Sequence, residues 1–252
     1  MRFKFGRARG LLGIGFFVIV WILVTHLGIV NTFFFPAFEN TVIRLASLVF
    51  SGLILGDLSQ TVLRVAAAFV IALFIGVPSG LLLGSSRKLY ETFEPLIDFF
   101  RSIPATAMFP LFLLIFGISD KSKIMVAAFS SILIILFNTA YGVIHSKKIR
   151  HSASKLMGAS KYQIFKYVTF WESLPNTIIG LRTAASLSLV IIIVTEMFIG
   201  TEYGLGARII DFQYMYDIES MYAVILLTGI IGYIVNLIFI YIEKKIVHWS
   251  GK

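Results

Sequence analysis

Long apolar runs separated by short polar stretches dominate the sequence. Six of them, 11–30, 62–84, 96–117, 124–145, 178–200 and 222–242, are long enough to cross a bilayer as helices. A helix rises about 1.5 Å per residue, so about 20 residues span a hydrocarbon layer of roughly 30 Å. The runs do not alternate polar and apolar residues, and they are about twice as long as a membrane strand, which predicts helices rather than a barrel. A further moderately apolar stretch, 45–55, is interrupted by Ser51 and Gly52 and suits a short helix at the interface. The expected fold class is an all-α polytopic membrane protein. It comprises a single transmembrane domain over 1–252, with six spans and a long connection, 146–176, between the fourth and fifth.

The second run carries Ala68, Ala72, Gly76, Gly80 and Gly84 at four-residue spacing. Four residues turn a helix by roughly 400°, so these positions form one slowly drifting stripe. Small side chains there let a neighbouring backbone approach closely, which predicts helix packing along this face. Pro78 within the stripe predicts a kink.

Composition supports the membrane reading. Hydrophobic residues make up 58% of the 252 and charged residues 14%. A soluble domain has about 45–50% and about 25%. A soluble enzyme, a disordered chain and a collagen-like chain are excluded as accounts of the whole sequence. The net charge of +9 has a topological explanation that needs no nucleic acid. With the N-terminus in the cytoplasm, 15 Lys and Arg fall on the inner side, and only Arg44, Arg64, Lys121, Lys123 and Arg208 fall on the outer side. That bias predicts that both termini face the cytoplasm. Arg2, Lys4, Arg7 and Arg9 precede the first run as in a signal peptide. The run is too long for one and lacks a small-x-small cleavage site, so a retained span is expected.

Candidate chemistry is sparse. Cysteine is absent, the four histidines lack ligand spacing, and no Gly-x-x-x-x-Gly-Lys-Ser/Thr loop occurs. The chain is therefore expected to hold no metal or catalytic residues and not to hydrolyse nucleotides itself. Ionisable residues inside spans default to functional hypotheses. Arg101, Pro104, Met108, Glu196 and Met197 are the candidates for lining a translocation pathway. Glu196 has an equal alternative as a hydrogen-bonded structural residue, and Arg101 can instead snorkel to headgroups. Asn138 and Asn236 suit interhelical hydrogen bonds.

The 146–176 connection is basic. At roughly 100° per residue, Leu156, Met157, Ile164, Tyr167 and Val168 share one arc, with Lys155 and Lys166 opposite. Such a helix either lies on anionic headgroups or docks into a groove on a partner.

Residue order separates the two. The segment Gly158-Ala159-Ser160-Lys161-Tyr162-Gln163-Ile164-Phe165, followed by Leu174-Pro175 and Gly180-Leu181-Arg182, resembles the cytoplasmic EAA loop of ABC-importer permeases. The motif's Glu-Ala-Ala falls on Ser152, Ala153 and Ser154, so its acidic residue is missing. Further stretches match the same family. Thr61-Val62-Leu63-Arg64 opens the second helix. Pro95, Arg101, Ile103, Pro104, Pro110, Leu111, Phe116, Gly117, Ile118, Ser122 and Lys123 follow the pattern Pro…Arg-x-Ile-Pro…Pro-Leu…Phe-Gly-Ile…Ser-Lys. Thr195-Glu196-Met197 with Gly204-Leu205-Gly206 is similar to the Ala-Glu-Met…Gly-Leu-Gly signature. The resemblance covers roughly 35–245 and is nearest the nitrate/sulfonate/taurine branch, which includes bicarbonate and thiamine-precursor permeases.

The resemblance implies a type I importer fold in a prokaryotic cytoplasmic membrane. It implies two ATP-binding subunits that carry ATP and Mg, a second permease copy forming a homodimer, and an extracytoplasmic substrate-binding protein. It places Ser152, Ala153, Leu156, Met157, Gly158, Ala159, Ser160, Ile164 and Phe165 against the ATPase, with Leu156, Met157 and Ile164 anchoring the loop. Transport would proceed by alternating access. The expected cargo is a small oxyanion or organic anion, with a thiamine-precursor pyrimidine as the rival. An ion-coupled carrier would need deep coupling groups and often an internal repeat, and neither is evident. A purely structural subunit would leave the residue order of the loop unexplained.

Overall fold

Every regular element among the described residues of this computed structural model, 3–198 and 202–247, is helical. In chain order they are α1 (Phe3–His26), α2 (Phe38–Phe50), α3 (Leu55–Gly84), α4 (Arg87–Ser102), α5 (Phe109–Phe116), α6 (Asp120–Ile144), α7 (Lys148–Leu156), α8 (Lys161–Ile164), α9 (Phe170–Phe198), α10 (Leu205–Tyr214) and α11 (Ile218–Ile246). A 3₁₀ turn, Ala105–Met108, leads into α5, and a π turn, Phe165–Thr169, joins α8 to α9.

The centre is a three-helix packing of α3, α6 and α9, and small residues set its spacing. Ala68, Ala72, Gly76, Gly80 and Gly84 are all buried. A Cβ added at Gly76 would stand 2.8 Å from Ile135 Cβ, one at Gly80 2.7 Å from the Leu136 carbonyl oxygen, and one at Gly84 2.7 Å from Val143 Cβ. The stripe therefore seats the α6 backbone. On the other side of α6, Gly142 meets the α9 backbone at Ser173, and Gly180 of α9 meets Asn138. Hydroxyls bridge the same pair of helices, with Ser131 and Ser188 oxygens 2.8 Å apart.

Around this centre, α10, α11 and α2 pack on one end of α9. Leu48, Ile54, Leu205, Ile209, Ala223 and Val224 form their shared core. α1 joins through aromatic contacts: Trp21 donates to the Pro36 carbonyl at 3.0 Å and packs against Phe35, Phe38 and Tyr222.

The bounds of the six spans expected from the sequence are revised in three places. First, 96–117 is not one helix: α4 and the Ala105–Phe116 helix meet at 87°. Ile103 precedes Pro104 and is extended, with φ −78° and ψ 124°, and Pro104 follows at φ −57° and ψ 126°. The proline ring forbids helical geometry at the residue before it. Second, the fifth span begins well before residue 178, because α8, the π turn and α9 form one 38-residue run, Lys161–Phe198. Its expected end at Gly200 lies outside the described residues. Third, α1 runs Phe3–His26, so the first helix starts before residue 11 and ends short of residue 30. Among the described residues, four helices are long and apolar enough to cross a membrane, or five with the bent pair counted as one span. The 45–55 stretch folds instead as α2, displaced toward the N-terminus, and Pro78 lies inside an unbroken α3.

Candidate functional site

One end of the bundle carries a rigid, outward-facing turn. α7 ends in a Schellman arrangement, in which the Gly158 amide donates to the Lys155 carbonyl at 3.0 Å and the Ala159 amide to the Ser154 carbonyl at 3.0 Å. This closure needs a left-handed residue, and Gly158 supplies it at φ +81°. α8 starts at once with a capping box: Gln163 N donates to Ser160 Oγ at 3.3 Å, and Ser160 N donates to Gln163 Oε1 at 2.8 Å. The turn is fastened to the base of α9. Arg150 Nη1 donates to Glu172 Oε1 at 2.8 Å, the Lys147 amide donates to Glu172 Oε2 at 2.5 Å, and Ile164 is buried. His151 Nε2 lies 3.0 Å from Ser146 Oγ.

This geometry revises the single amphipathic face. The Gly158 turn separates α7 from α8, so Leu156 and Met157 do not share the burial of Ile164. They are 90% and 87% exposed. Ile164 therefore anchors the loop, while Leu156 and Met157 project from it beside exposed Ser152 and Ala153. Ser160 is also exposed, and Ala159 and Phe165 are half-buried.

The opposite end holds a buried ion network that sequence reading found only in part. Glu196, 1% exposed, accepts from Arg64 Nη1 at 2.6 Å, from Thr61 Oγ1 at 2.9 Å and from the Gly206 amide at 3.0 Å. Arg64 also donates to Asp120 at 3.0 Å and to the Tyr203 carbonyl at 2.8 Å. Lys123, 1% exposed, donates to Asp120 at 3.1 Å. Asp57, 1% exposed, accepts from the Gly204 amide at 2.9 Å and from Arg208 Nε at 2.7 Å. Burial of charge is costly unless each ion is paired and hydrogen-bonded, and here three carboxylates meet three cations. The Asp57 carboxylate also holds the Arg208 guanidinium above its ordinary range.

The same network explains Gly204-Leu205-Gly206. The first amides of α10 donate to Asp57, Thr61 and Glu196, which satisfy the unpaired donors of that helix start. A Cβ at Gly204 would stand 2.6 Å from Glu196 Cδ, and one at Gly206 would stand 2.2 Å from the Ile193 carbonyl oxygen. Asp57, Asp120 and the roles of Arg64, Lys123 and Arg208 escaped sequence reading. A signal existed: Asp57, Thr61 and Arg64 recur at helical spacing along one face of α3.

The pathway candidates do not converge. Arg101 ends α4, pairs with Asp98 at 3.4 Å and lies over the Phe137 ring at 3.9 Å. Pro104 is exposed at the bend, and Met108 packs on the core beside Phe109 and Phe112. Glu196 lies in the ion network, and Met197 packs with the α2, α10 and α11 core. Asn138 donates to Ile134 of its own helix at 2.9 Å.

A helical membrane subunit built around close helix crossings, with an exposed rigid turn at one end, has the form of a transport permease. Residues 72–248 match the family described as "Binding-protein-dependent transport system inner membrane component", and the chain belongs to that family. A protein of Brucella abortus (strain 2308) named as an ABC transporter permease is 28% identical over 92% of this chain and 91% of its own length. SsuC of Bacillus subtilis (strain 168), named for aliphatic sulfonates transport, is 25% identical over 99% of this chain and 90% of its own. Among solved structures, a chain of the MetNI methionine ABC transporter in an inward-facing conformation superposes with a TM-score of 0.66. It has 23% identity and covers 75% of this chain and 94% of that one. The chain is an ABC-type transport permease, embedded in the membrane by its apolar helices.

Proposed function

We propose that this permease forms the translocation pathway of an ATP-driven importer, with the α7–α8 turn seated in a separate ATP-hydrolysing subunit. One observation carries the reading. Leu156 and Met157 project from a turn locked by Gly158, and that turn runs directly into the 38-residue Lys161–Phe198 helix at the bundle centre. Movement imposed on the turn has a continuous helical path into the membrane domain. ATP and Mg are bound by the partner, since this chain has no phosphate loop. Two copies of the permease enclose the pathway as a homodimer, and a binding protein delivers cargo at the end that carries the ion network. The turn faces the cytoplasm, in agreement with the basic residues that flank it, and the protein resides in a prokaryotic cytoplasmic membrane with both termini inside.

The proposed cargo is a small oxyanion or organic anion, as the name of the Bacillus relative and the sequence resemblance suggest. A gentle-detergent purification from native membranes tests the core of this reading. A co-purifying chain with a phosphate-binding loop is expected, and its identity is read by mass spectrometry. Its absence under several mild conditions would return the chain to the carrier or structural-subunit class.

A further inference from the structure

The exposed turn has an unusual charge pattern. From Ser146 to Trp171 the sequence holds Lys147, Lys148, Arg150, Lys155, Lys161 and Lys166 and no Asp or Glu. The next acid, Glu172, is nearly buried and committed to Arg150 and the Lys147 amide. Lys155, Lys161 and Lys166 are exposed, and among the described residues none of them forms an ion pair. Lys155 immediately precedes the projecting Leu156-Met157 pair, and Lys161 opens α8 on the far side of the turn. Between the two helices lies a cleft of about 350 Å³ whose walls include Met157, Gly158, Gln163, Ile164, Tyr167 and Val168, with no charged side chain. The turn thus offers an apolar tip framed by unpaired cations.

We infer that the ATP-hydrolysing partner receives this turn in a cleft with an apolar floor and an acidic rim, its carboxylates facing Lys155 and Lys161. This rests on the proposed docking and specifies the chemistry of the occupant. Apolar contact supplies the seat for Leu156 and Met157. The opposite charges set register and selectivity, because a cleft rimmed with basic residues would place like charges together at close range. Selection of the cognate subunit here runs through lysines of the permease, since the motif's acidic position is Ser152.

The test uses the full permease in nanodiscs of phosphatidylcholine, a lipid without net charge. The binding partner is the phosphate-loop chain identified by co-purification. Lys155→Glu/Lys161→Glu is expected to weaken binding at least about tenfold, and Lys155→Gln/Lys161→Gln less. Wild-type affinity is expected to fall as salt rises from low to physiological strength. Lys245→Glu, a single Lys→Glu reversal on the exposed end of α11, is compared with Lys155→Glu and Lys161→Glu made singly, and should leave binding unchanged where each of those weakens it. Undiminished binding by both lysine pairs, with no salt dependence, would overturn the inference and leave a purely apolar dock within an intact importer. An effect that appears only when anionic lipid is added would also overturn it and assign the lysines to headgroups. Failure of the wild type to bind any phosphate-loop chain would instead remove the importer reading itself.

Discussion

At the scale of single residues, position decides what a charge can do. Glu196 could be read from sequence either as a pathway residue or as a structural one, because an apolar run says nothing about what faces it. The structure closes its carboxylate among Arg64, Thr61 and the α10 amides. Removing one member of a buried pair costs up to about 3–5 kcal/mol, less here because Arg64 keeps Asp120 and the Tyr203 carbonyl as acceptors. Glu196→Gln is therefore expected to lower folded yield and thermal midpoint in detergent together with uptake. Wild-type folding with uptake alone lost would contradict this. Gly158 is a different case, because nothing lies within 4 Å of a Cβ placed there. Its constraint is purely the backbone angle of φ +81°. A β-branched residue in that region costs about 1–3 kcal/mol, whereas Asn tolerates it better. Gly158→Val should keep membrane insertion and helix content but reduce ATP-coupled uptake severalfold in the assembled complex, with Gly158→Asn intermediate. Equal uptake by all three proteins would reject the coupling role.

At the scale of elements, what could be read from the sequence followed one-dimensional patterns. The stripe from Ala68 to Gly84 needed only four-residue spacing, and its glycines Gly76, Gly80 and Gly84 lie against α6 with separations that leave no room for a Cβ. Gly80→Leu is expected to push α3 and α6 apart, costing about 1–3 kcal/mol or more. The readout is a lower melting temperature and aggregation on size exclusion. Gly229→Leu on α11, where the space is open, serves as the control. Long apolar runs were likewise visible, but their ends and bends were not. The 96–117 run has enough apolar residues for a span, and hydropathy is blind to the dihedral restriction at Ile103-Pro104 that turns it by 87°. The amphipathic arc in the 146–176 connection assumed one continuous helix, and the Schellman closure at Gly158 split it. That split is why Leu156 and Met157 face outward while Ile164 faces in.

At the scale of the molecule, the parts are tied by few but well-placed contacts. α2 is clasped to α11 by Arg44, which donates to Ser220 Oγ at 2.6 Å and to Asp217 at 3.2 Å. Asn40 donates to Glu219 at 3.0 Å beside them. Burial alone would raise the Asp217 carboxyl, but hydrogen bonds from Ser220 and the Arg44 charge hold it below its ordinary 3.8. A depressed folded value means that the clasp contributes fully above the ordinary value and weakens as pH falls through the lower folded one. The protection of α2 amides, taken relative to their intrinsic exchange at each pH, should fall in that acid window, and Arg44→Gln should flatten the response. An unchanged pH profile in the variant would dissociate Arg44 from it. Such long-range pairings, like Arg64–Glu196 and Asp57–Arg208 in the ion network, join residues more than a hundred positions apart and leave little trace in a single sequence. The helix Lys161–Phe198 has a mechanical consequence. At about 1.5 Å per residue, the close crossing at Gly180 divides it into arms of roughly 29 and 27 Å. A rod pivoted there is a balanced lever. Were the helix to rock about that crossing as a rigid rod, a displacement of the turn would reappear at the far end with nearly equal size and opposite direction, a gear ratio near one.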